Sequence, residues 1–538
     1  MPVGSRGDMT RILIFHGYLL GGTGSNVYNA RLASALVALG HEVHLLCQDR
    51  HAGEQPFVDA VGDWESGGLR IRPPRAGGPG GEEDRPASVG SRHEGEGAGH
   101  CTVYRPEIGG LLPVYVADRY EGIEARTFAE CSEVEVASYI DANVAAVREV
   151  VARTRPGLAL ANHLVMGPVI LARALAGEVP YAVKVHGSAL EYTVKPQPER
   201  FLGFAREGLA GARAVLVGSH HTAASLWATL ADPALPARTR LGPPGVDVAR
   251  FHPRDPERAA AGLRDLTTRL RSSTSASVEQ ETTASAFARD ELAAADALGR
   301  LEPARERLVA FVGKLIVNKG VDLLLAAWPL VLKSVPSARL VVVGFGADRA
   351  LLERLLGVLA MGDLDAAEGM ALAHLLAFLR GLDGDARVRY LDAARALPER
   401  VVFTGRLDHD ELADLLPACE AMVVPSTFPE AFGMVAAEAA ACGALPISAA
   451  HSGLAEVSGA LARVVPDEVA PWLSFPVDDS SVAALAARIV AWLGVDPVVR
   501  GRARAGLVSI VRELWSWEGV ARGVIAAARG ELDALTQP

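Results

Sequence analysis

The run Ile12-Leu13-Ile14-Phe15 is apolar at every position, and it leads directly into a glycine-rich loop, "HGYLLGGTG". A strand without a polar side is buried on both faces, which requires helices above and below its sheet. Beyond the loop, from about Ser25 to Leu39, Tyr28, Leu32, Ala35, Leu36 and Leu39 fall on one face at helical spacing. Gly40 ends that helix, and "HEVHLLCQ" is a second strand of the same kind. Strand, helix and strand in this order spell a βαβ unit and therefore an α/β protein with a parallel sheet.

The alternation recurs through the helix "EVASYIDANVAAVREVVAR", the strand "GLALANH", the helix around "GPVILARALA" and the strands "YAVKVHG" and "AVLVGS". From Pro243 to Pro253, "PPGVDVARFHP" is dense in proline and glycine and reads as an interdomain linker. A second βα series begins with "RLVAFVGKL" and "ARLVVVGFG" and continues through "RVVFTGRL", "AMVVPS" and "LPISAA". A chain of 538 residues is too long for one ordinary core. The expectation is two Rossmann-like, doubly wound domains facing a cleft, residues 1–245 and 246–510, with 511–538 as a helix packing back on the first.

Three insertions interrupt this plan. Residues 64–100, rich in Gly, Pro and mixed charge, are expected to be a mobile loop. Residues 256–303 carry a Ser/Thr-rich centre expected to be flexible or loosely helical, and 347–398 are Leu/Ala-rich and expected to be helical.

The net charge of −11 gives no bulk attraction to nucleic acid or to an anionic membrane, although peripheral membrane contact stays open. The five cysteines show no CxxC or Cys/His spacing, which points to reduced, structural thiols and a cytoplasmic protein. The start, "MPVGSRGDMTR", lacks the apolar core of a signal peptide, and no run reaches the roughly 18 apolar residues of a membrane span. The oligomeric state is not legible.

Gly22-Thr23-Gly24-Ser25-Asn26-Val27 matches the dinucleotide fingerprint except at Val27, where a small residue belongs, and Asp49 follows at the distance of a ribose-binding acid. A tight structural turn and a different anion at the helix N-terminus are the competing readings. The strongest constellation is "PSTFPEAFGMVAAEAAACGALPI": Glu430 precedes and Glu438 lies within a helix opened by Phe432-Gly433-Met434-Val435. Its first amides and dipole suit a diphosphate. Lysine occurs only five times in the chain, and two of the five, Lys314 and Lys319, sit where the strand "RLVAFVG" ends. Compact ammonium charges there would stabilise negative charge on a leaving diphosphate. Asp363-Leu364-Asp365, Asp383-Gly384-Asp385 and Asp408-His409-Asp410 have metal-binding DxD form, but the last reads as a helix start and the first two as solvated turns, so no metal is expected.

Together "HGYLLGGTGSNVYNARLASALVALGHEVHLLCQ", "PPGVDVARFHP", "VGKLIVNKGVDLLL", "LVVVGFG" and "VVFTGRL…DLLPACEAMVVPSTFPEAFGMVAAEAAACGALPI" resemble the retaining GT-B glycosyltransferases of family four, the glycogen synthase-like and glycosyl-4-type group. The resemblance implies a UDP-, GDP- or ADP-sugar donor held by the C-terminal domain, and a sugar, polyol, lipid or small-metabolite acceptor held by the N-terminal one. It implies no cofactor beyond the nucleotide-sugar co-substrate. By the same resemblance Glu430 binds donor-sugar hydroxyls, Glu438 the ribose, and the backbone from Phe432 through Gly433 and Met434 to Val435 the diphosphate. Lys314 and Lys319 neutralise that diphosphate, Arg406 lies beside the base, and Gly22, Thr23 and Gly24 approach the phosphates. His163 or His186 stands near the anomeric carbon, with a packed core histidine as the alternative for each. Lys314 stands where the family usually has arginine, and it lacks the bidentate fork to phosphate. A sugar-nucleotide epimerase or phosphorylase on this fold, or a catalytically silent sugar-nucleotide-binding protein, are the alternative functions. A pyridoxal-dependent phosphorylase needs a late lysine, and none follows Lys333.

Overall fold

The computed structural model describes residues 9–22, 24–65, 68–74, 99–116, 123–273, 289–371 and 373–538. These divide into two compact units, one containing the chain up to Gly245 together with Trp517–Pro538, the other Val246–Ser516.

In the first unit the strands are β1 (Arg11–Phe15), β2 (Glu42–Leu46), β3 (Ala60–Glu65), β4 (Gly68–Arg72), β5 (His100–Arg105), β6 (Leu111–Val114), β7 (Glu124–Thr127), β8 (Leu158–Asn162), β9 (Tyr181–Lys184), β10 (Ala214–Val217) and β11 (Thr239–Leu241). All but the separate β6–β7 pair form one nine-stranded sheet in the order β11-β10-β9-β8-β1-β2-β5-β3-β4. It is parallel except for the β3–β4 hairpin at its edge. Ile12, Leu13 and Ile14 are completely buried, as a two-sided apolar strand demands. Chain order reverses between β1 and β8, which makes the carboxyl ends of those strands the crevice where α/β sheets bind ligands.

The hairpin corrects the expectation of a mobile loop over 64–100. Trp64 donates its indole N–H to Glu149 Oε2 at 2.7 Å, Leu69 is buried, and Arg70 and Arg72 face outward in the manner of a charged edge strand. The composition of the whole segment hid this short strand. Residues 66–67 and 75–98 lie outside the described residues, as does the Ser/Thr-rich centre 274–288.

The second unit holds β12 (Arg307–Val312), β13 (Ala338–Val343), β14 (Val401–Gly405), β15 (Ala421–Val424), β16 (Leu445–Ala449) and β17 (Ser474–Phe475). They form a parallel sheet ordered β14-β13-β12-β15-β16-β17, with its switch point between β12 and β15. The 256–303 insertion contributes the helices Pro256–Ser273 and Glu291–Leu298. The 347–398 insertion is a string of helices whose Leu352, Leu355, Leu359 and Tyr390 join the core, Tyr390 donating its hydroxyl to Ala326 O at 3.0 Å. Among the described residues no single helix is long and apolar enough to cross a membrane.

After the helix Pro497–Leu514 the chain returns to the first unit at Trp517. The helix Trp517–Arg529 then lays Trp517, Ala521, Val524, Ala527 and Ala528 on the side chains of Leu158, Leu160, Ala182 and Leu216. The Trp517 ring packs over Tyr28, 5.5 Å between centroids, and closely against Gly245.

One interior charge stands out. Lys184, the last residue of β9, is buried, donates from Nζ to Gly242 O at 2.6 Å and lies 5.5 Å from the centroid of the Tyr28 ring. Burial without a carboxylate lowers its pKa to about 7.

Two outcomes follow. Trp517→Ala should cost about 3–5 kcal/mol of stability, read as a lowered urea midpoint; an unmoved midpoint would show that the helix is dispensable. For Lys184 the folded state holds fewer protons than the unfolded one between the folded pKa of about 7 and the ordinary lysine value, so its contribution to stability rises with pH across that window. The difference in unfolding free energy between Lys184→Met and the native chain should therefore be largest near neutral pH. It should shrink towards pH 10 by up to about 1.4 kcal/mol per unit. A difference that stays flat from pH 7 to 10 would place a charged lysine in the folded core.

Candidate functional site

In the second unit two turns meet at the switch point. After β12 the chain passes Gly313 and Lys314 into the short turn Val317–Lys319, ended by Gly320 at φ +63°. A Cβ on Gly320 would overlap the carbonyl oxygen of Pro425, and Thr427 N–H donates to Asn318 O at 3.0 Å. Gly344, at φ +157°, lies equally close to Gly313 O. Backbone therefore clamps the turn after β12 between the turns after β13 and β15.

This clamp brings Lys319 and Glu430 together. Lys319 Nζ is ion-paired with Glu430 Oε1, and Ser426 Oγ donates to the same oxygen at 2.5 Å. The Glu430 N–H donates to Ser452 Oγ at 2.9 Å. His451 donates from Nε2 to Ser426 O at 2.8 Å, which leaves Nδ1 to accept from Ser452 Oγ at 3.0 Å. Glu430 thus has both its side chain and its backbone fixed before any ligand arrives. Lys314 is half-buried in the preceding turn.

Gly433, at φ +109°, opens the helix Met434–Ala441, whose first amides lie at the positive end of its dipole. The Phe432 side chain is buried edge-to-face on Trp515, 5.4 Å between centroids, so it offers a ligand only its backbone. Met434 and Val435 likewise turn their side chains to the core. Glu438 is buried one turn along, its Oε1 2.9 Å from Nε2 of His409, which packs on Phe251. Arg406 donates to Asp408 Oδ1 at 2.8 Å, and Asp408 N–H donates to Glu411 Oε2 at 2.7 Å at the start of the helix His409–Leu415. Asp363, expected as a solvated turn residue, instead accepts from Ala366 N–H at 3.0 Å and caps a helix. Among the described residues no group of three or more His, Cys, Asp or Glu side chains is placed to hold a metal ion.

The first unit gathers a separate constellation at its own switch point. Gly22 has φ +95° and Gly24 opens the helix Gly24–Ala38; Thr23 lies outside the described residues. Asp49 is not a ribose acid in waiting: its carboxylate is buried, accepting Leu20 N–H and His51 N–H, each at 2.8 Å, and so braces the glycine loop. His16, His163 and His186 follow the adjacent strands β1, β8 and β9.

His163 is buried at φ +69° among the rings of Tyr115, His186, Tyr18 and His16, with centroids 4.5, 5.0, 5.3 and 5.9 Å away. Neither of its ring nitrogens has a hydrogen-bond partner among the described residues. His186 is half-buried and bonded through Nε2 to Asn162 Oδ1 at 2.8 Å. Burial lowers the pKa of His16 to about 4. It takes His163 and His186 well below the ordinary value, reinforced at His186 by His163, Lys184 and His16. All three rings are neutral at pH 7.

Sequence reading did not single out Ser426, His451 and Ser452 around Glu430, nor Asn26, Asn29 and Asn162 around the histidines. The signal available was position: Asn162 ends β8, and Ser426 lies two residues beyond β15.

Residues 299–489 match the family model described as "Glycosyl transferases group 1", and residues 23–245 the model described as "Glycosyl transferase 4-like domain". Over 243 residues the chain is 32% identical to a D-inositol 3-phosphate glycosyltransferase of Segniliparus rotundus, a match covering 45% of this chain and 44% of that one. Over 217 residues it is 26% identical to a GDP-mannose-dependent monoacylated alpha-(1-6)-phosphatidylinositol monomannoside mannosyltransferase of Corynebacterium glutamicum, covering 39% of this chain and 44% of that one. The chain thus matches less than half the length of these curated relatives. Among solved structures, sucrose-phosphate synthase from Thermosynechococcus elongatus aligns over 98% of this chain and 100% of its own, with a TM-score of 0.56 at 19% identity. HepE of Anabaena, in complex with UDP and glucose, aligns over 97% and 99%, with a TM-score of 0.53 at 15% identity. Two sheets, each reversing chain order beside a glycine-hinged loop, and two consecutive family matches have one reading: the chain belongs to the GT-B glycosyltransferases of family four.

Proposed function

We propose that the chain is a retaining, metal-independent hexosyltransferase that moves a sugar from a UDP-, GDP- or ADP-sugar to a hydroxyl of a phosphorylated polyol or sugar. The observation that carries this reading is Glu430, pre-set by Lys319, Ser426 and Ser452 beside the N-terminus of the helix Met434–Ala441. A carboxylate held this rigidly suits sugar hydroxyls, and the adjacent helix amides suit a diphosphate. In the transfer the bond from the anomeric carbon to the diphosphate oxygen breaks, a bond to the acceptor oxygen forms on the same face, and the acceptor proton goes to the departing diphosphate. Lys319 and Lys314 offset the charge that grows on that diphosphate. Glu438, held by His409, serves the ribose.

The acceptor class rests on the named relatives, one of which is a D-inositol 3-phosphate glycosyltransferase. The reaction needs no cofactor beyond the co-substrate, and the five buried, unpaired cysteines suit the reducing cytoplasm.

A thermal-shift panel of UDP-, GDP- and ADP-sugars should raise the melting temperature with one base only. With that donor and an inositol phosphate or hexose phosphate acceptor, proton NMR should show the product's anomeric configuration unchanged from the donor's, and EDTA should leave the rate intact. Glu430→Gln and Lys319→Ala should each lower kcat by roughly 10²–10³-fold. An inverted product refutes retention. A folded protein whose melting no nucleotide-sugar shifts refutes the donor assignment.

A further inference from the structure

We propose that Asn162 is a positioning residue: it holds His186 in the Nε2–H tautomer, with Nδ1 as that ring's basic nitrogen, and ties it through Asn29 and His16 to the glycine loop. The inference deepens the glycosyl-transfer reading and rests on it for its consequence, but its geometry stands on the hydrogen bonds alone.

Each amide of the network, and the His16 ring, is oriented by a backbone carbonyl, which can only accept, and His186 is oriented in turn by Asn162. Asn162 Nδ2 faces Phe15 O at 3.2 Å, so Oδ1 is the atom turned to His186 Nε2, at 2.8 Å. Nε2 must therefore carry the hydrogen. Asn29 Nδ2 donates to Ser25 O at 2.8 Å and shares its two hydrogens with Asn162 Oδ1 at 3.1 Å and His16 Nδ1 at 3.0 Å, one of them bifurcated. His16 Nδ1 accepts, and its Nε2 donates to Leu19 O at 2.9 Å and Asn26 Oδ1 at 3.0 Å. Asn26 in turn donates from Nδ2 to Gly21 O at 2.9 Å. One self-consistent set of donors runs from Gly21 to His186. Reversing any member would set two acceptors or two donors face to face in a buried network, at a cost on the order of 1–3 kcal/mol.

The consequence is chemical. With Nε2–H committed to Asn162, His186 meets a substrate hydroxyl through Nδ1 as a hydrogen-bond acceptor, and it does so as a neutral ring. The groups that face it, His163, Lys184, His16 and the Tyr28 ring, include no carboxylate, so nothing among them favours the imidazolium. Asn162→Asp keeps the shape of the side chain and supplies the missing charge.

Nitrogen-15 NMR of the imidazoles tests this on the whole chain without substrate. In the native protein the His186 signals should be those of a single neutral Nε2–H tautomer from pH 6 to 8. In Asn162→Asp the ring should titrate within that range. Transfer assays then read the role: kcat should acquire a new ionisation in Asn162→Asp and fall about tenfold to a hundredfold in Asn162→Leu, with the donor's KM nearly unchanged. A native Nδ1–H tautomer, or a His186 ring insensitive to Asn162→Asp, overturns the geometry. The expected tautomer with kcat unmoved in both variants overturns the positioning role while leaving the transferase reading intact. If the chain transfers no sugar at all, that reading fails and the NMR result still decides the tautomer. Should Asn162→Leu not fold, the native chain and Asn162→Asp suffice.

Discussion

The donor-side constellation depends on one backbone contact, the approach of Gly320 to the carbonyl of Pro425. Gly320 ends the turn that carries Lys319, and Pro425 begins the loop that carries Ser426 and Glu430. A side chain at 320 would force these loops apart, and its φ of +63° is one that residues with a Cβ seldom adopt. The Thr427 to Asn318 hydrogen bond fixes the register of the contact. The ammonium therefore reaches the carboxylate by rigid geometry, without ordering two long side chains from solution. That distinction matters energetically, because an exposed ion pair gains little while one built on a rigid frame is already oriented for its ligand.

What the sequence discloses here follows from the range of each interaction. Apolar strands such as Ile12–Phe15 and Ala421–Val424 are local patterns, and so are the glycines that open helices at 24 and 433; these were readable. Glu430, Lys314 and Lys319 drew notice because they lie in the loops that follow such strands, and Glu438 because it lies in the helix after the Glu430 loop. The hydrogen-bonding partners were not. Asn29 meets Asn162 across 133 residues, and Glu430 meets Ser452 across 22. In a linear reading an asparagine or serine at a strand end signals a cap or turn, and nothing local says which distant atom it will face. Asp49 illustrates the reverse error: its spacing suggested a ribose, whereas Leu20, 29 residues before it, had the prior claim on its carboxylate.

The two switch points solve opposite electrostatic problems. Around Glu430 the unit assembles charge, pairing the half-buried carboxylate with Lys319 and the Ser426 hydroxyl while the Ser452 hydroxyl accepts the Glu430 backbone N–H. Around His186 it removes charge: three histidines and a lysine share a buried region in which no carboxylate is among the groups acting on His186, so burial and mutual repulsion keep them neutral or easily deprotonated. A cluster of four basic groups would otherwise repel by several kcal/mol in a medium of low polarity. Their neutrality permits close ring contacts: His16 stacks on His163, His163 meets His186 at a tilt, and Lys184 lies against the Tyr28 ring.

This contrast constrains how a transferase of this kind can divide its labour. A departing diphosphate needs fixed positive charge, and in the proposed reading Lys319 supplies it on the unit where the helix Met434–Ala441 presents its first amides. The acceptor needs the opposite environment, since a cationic neighbour would lower the nucleophilicity of its oxygen by stabilising the lone pair that must attack. In the proposed transfer the hydroxyl proton goes to the departing diphosphate, and a neutral imidazole nearby adds no charge that would hold the attacking lone pair. The N–H of such a ring beside Lys184 can be held either by a carboxylate, which would draw a second proton onto the ring, or by an uncharged acceptor, which leaves the ring neutral. The amide of Asn162 is the second solution, and it succeeds because its own orientation is dictated by a backbone oxygen that cannot flip.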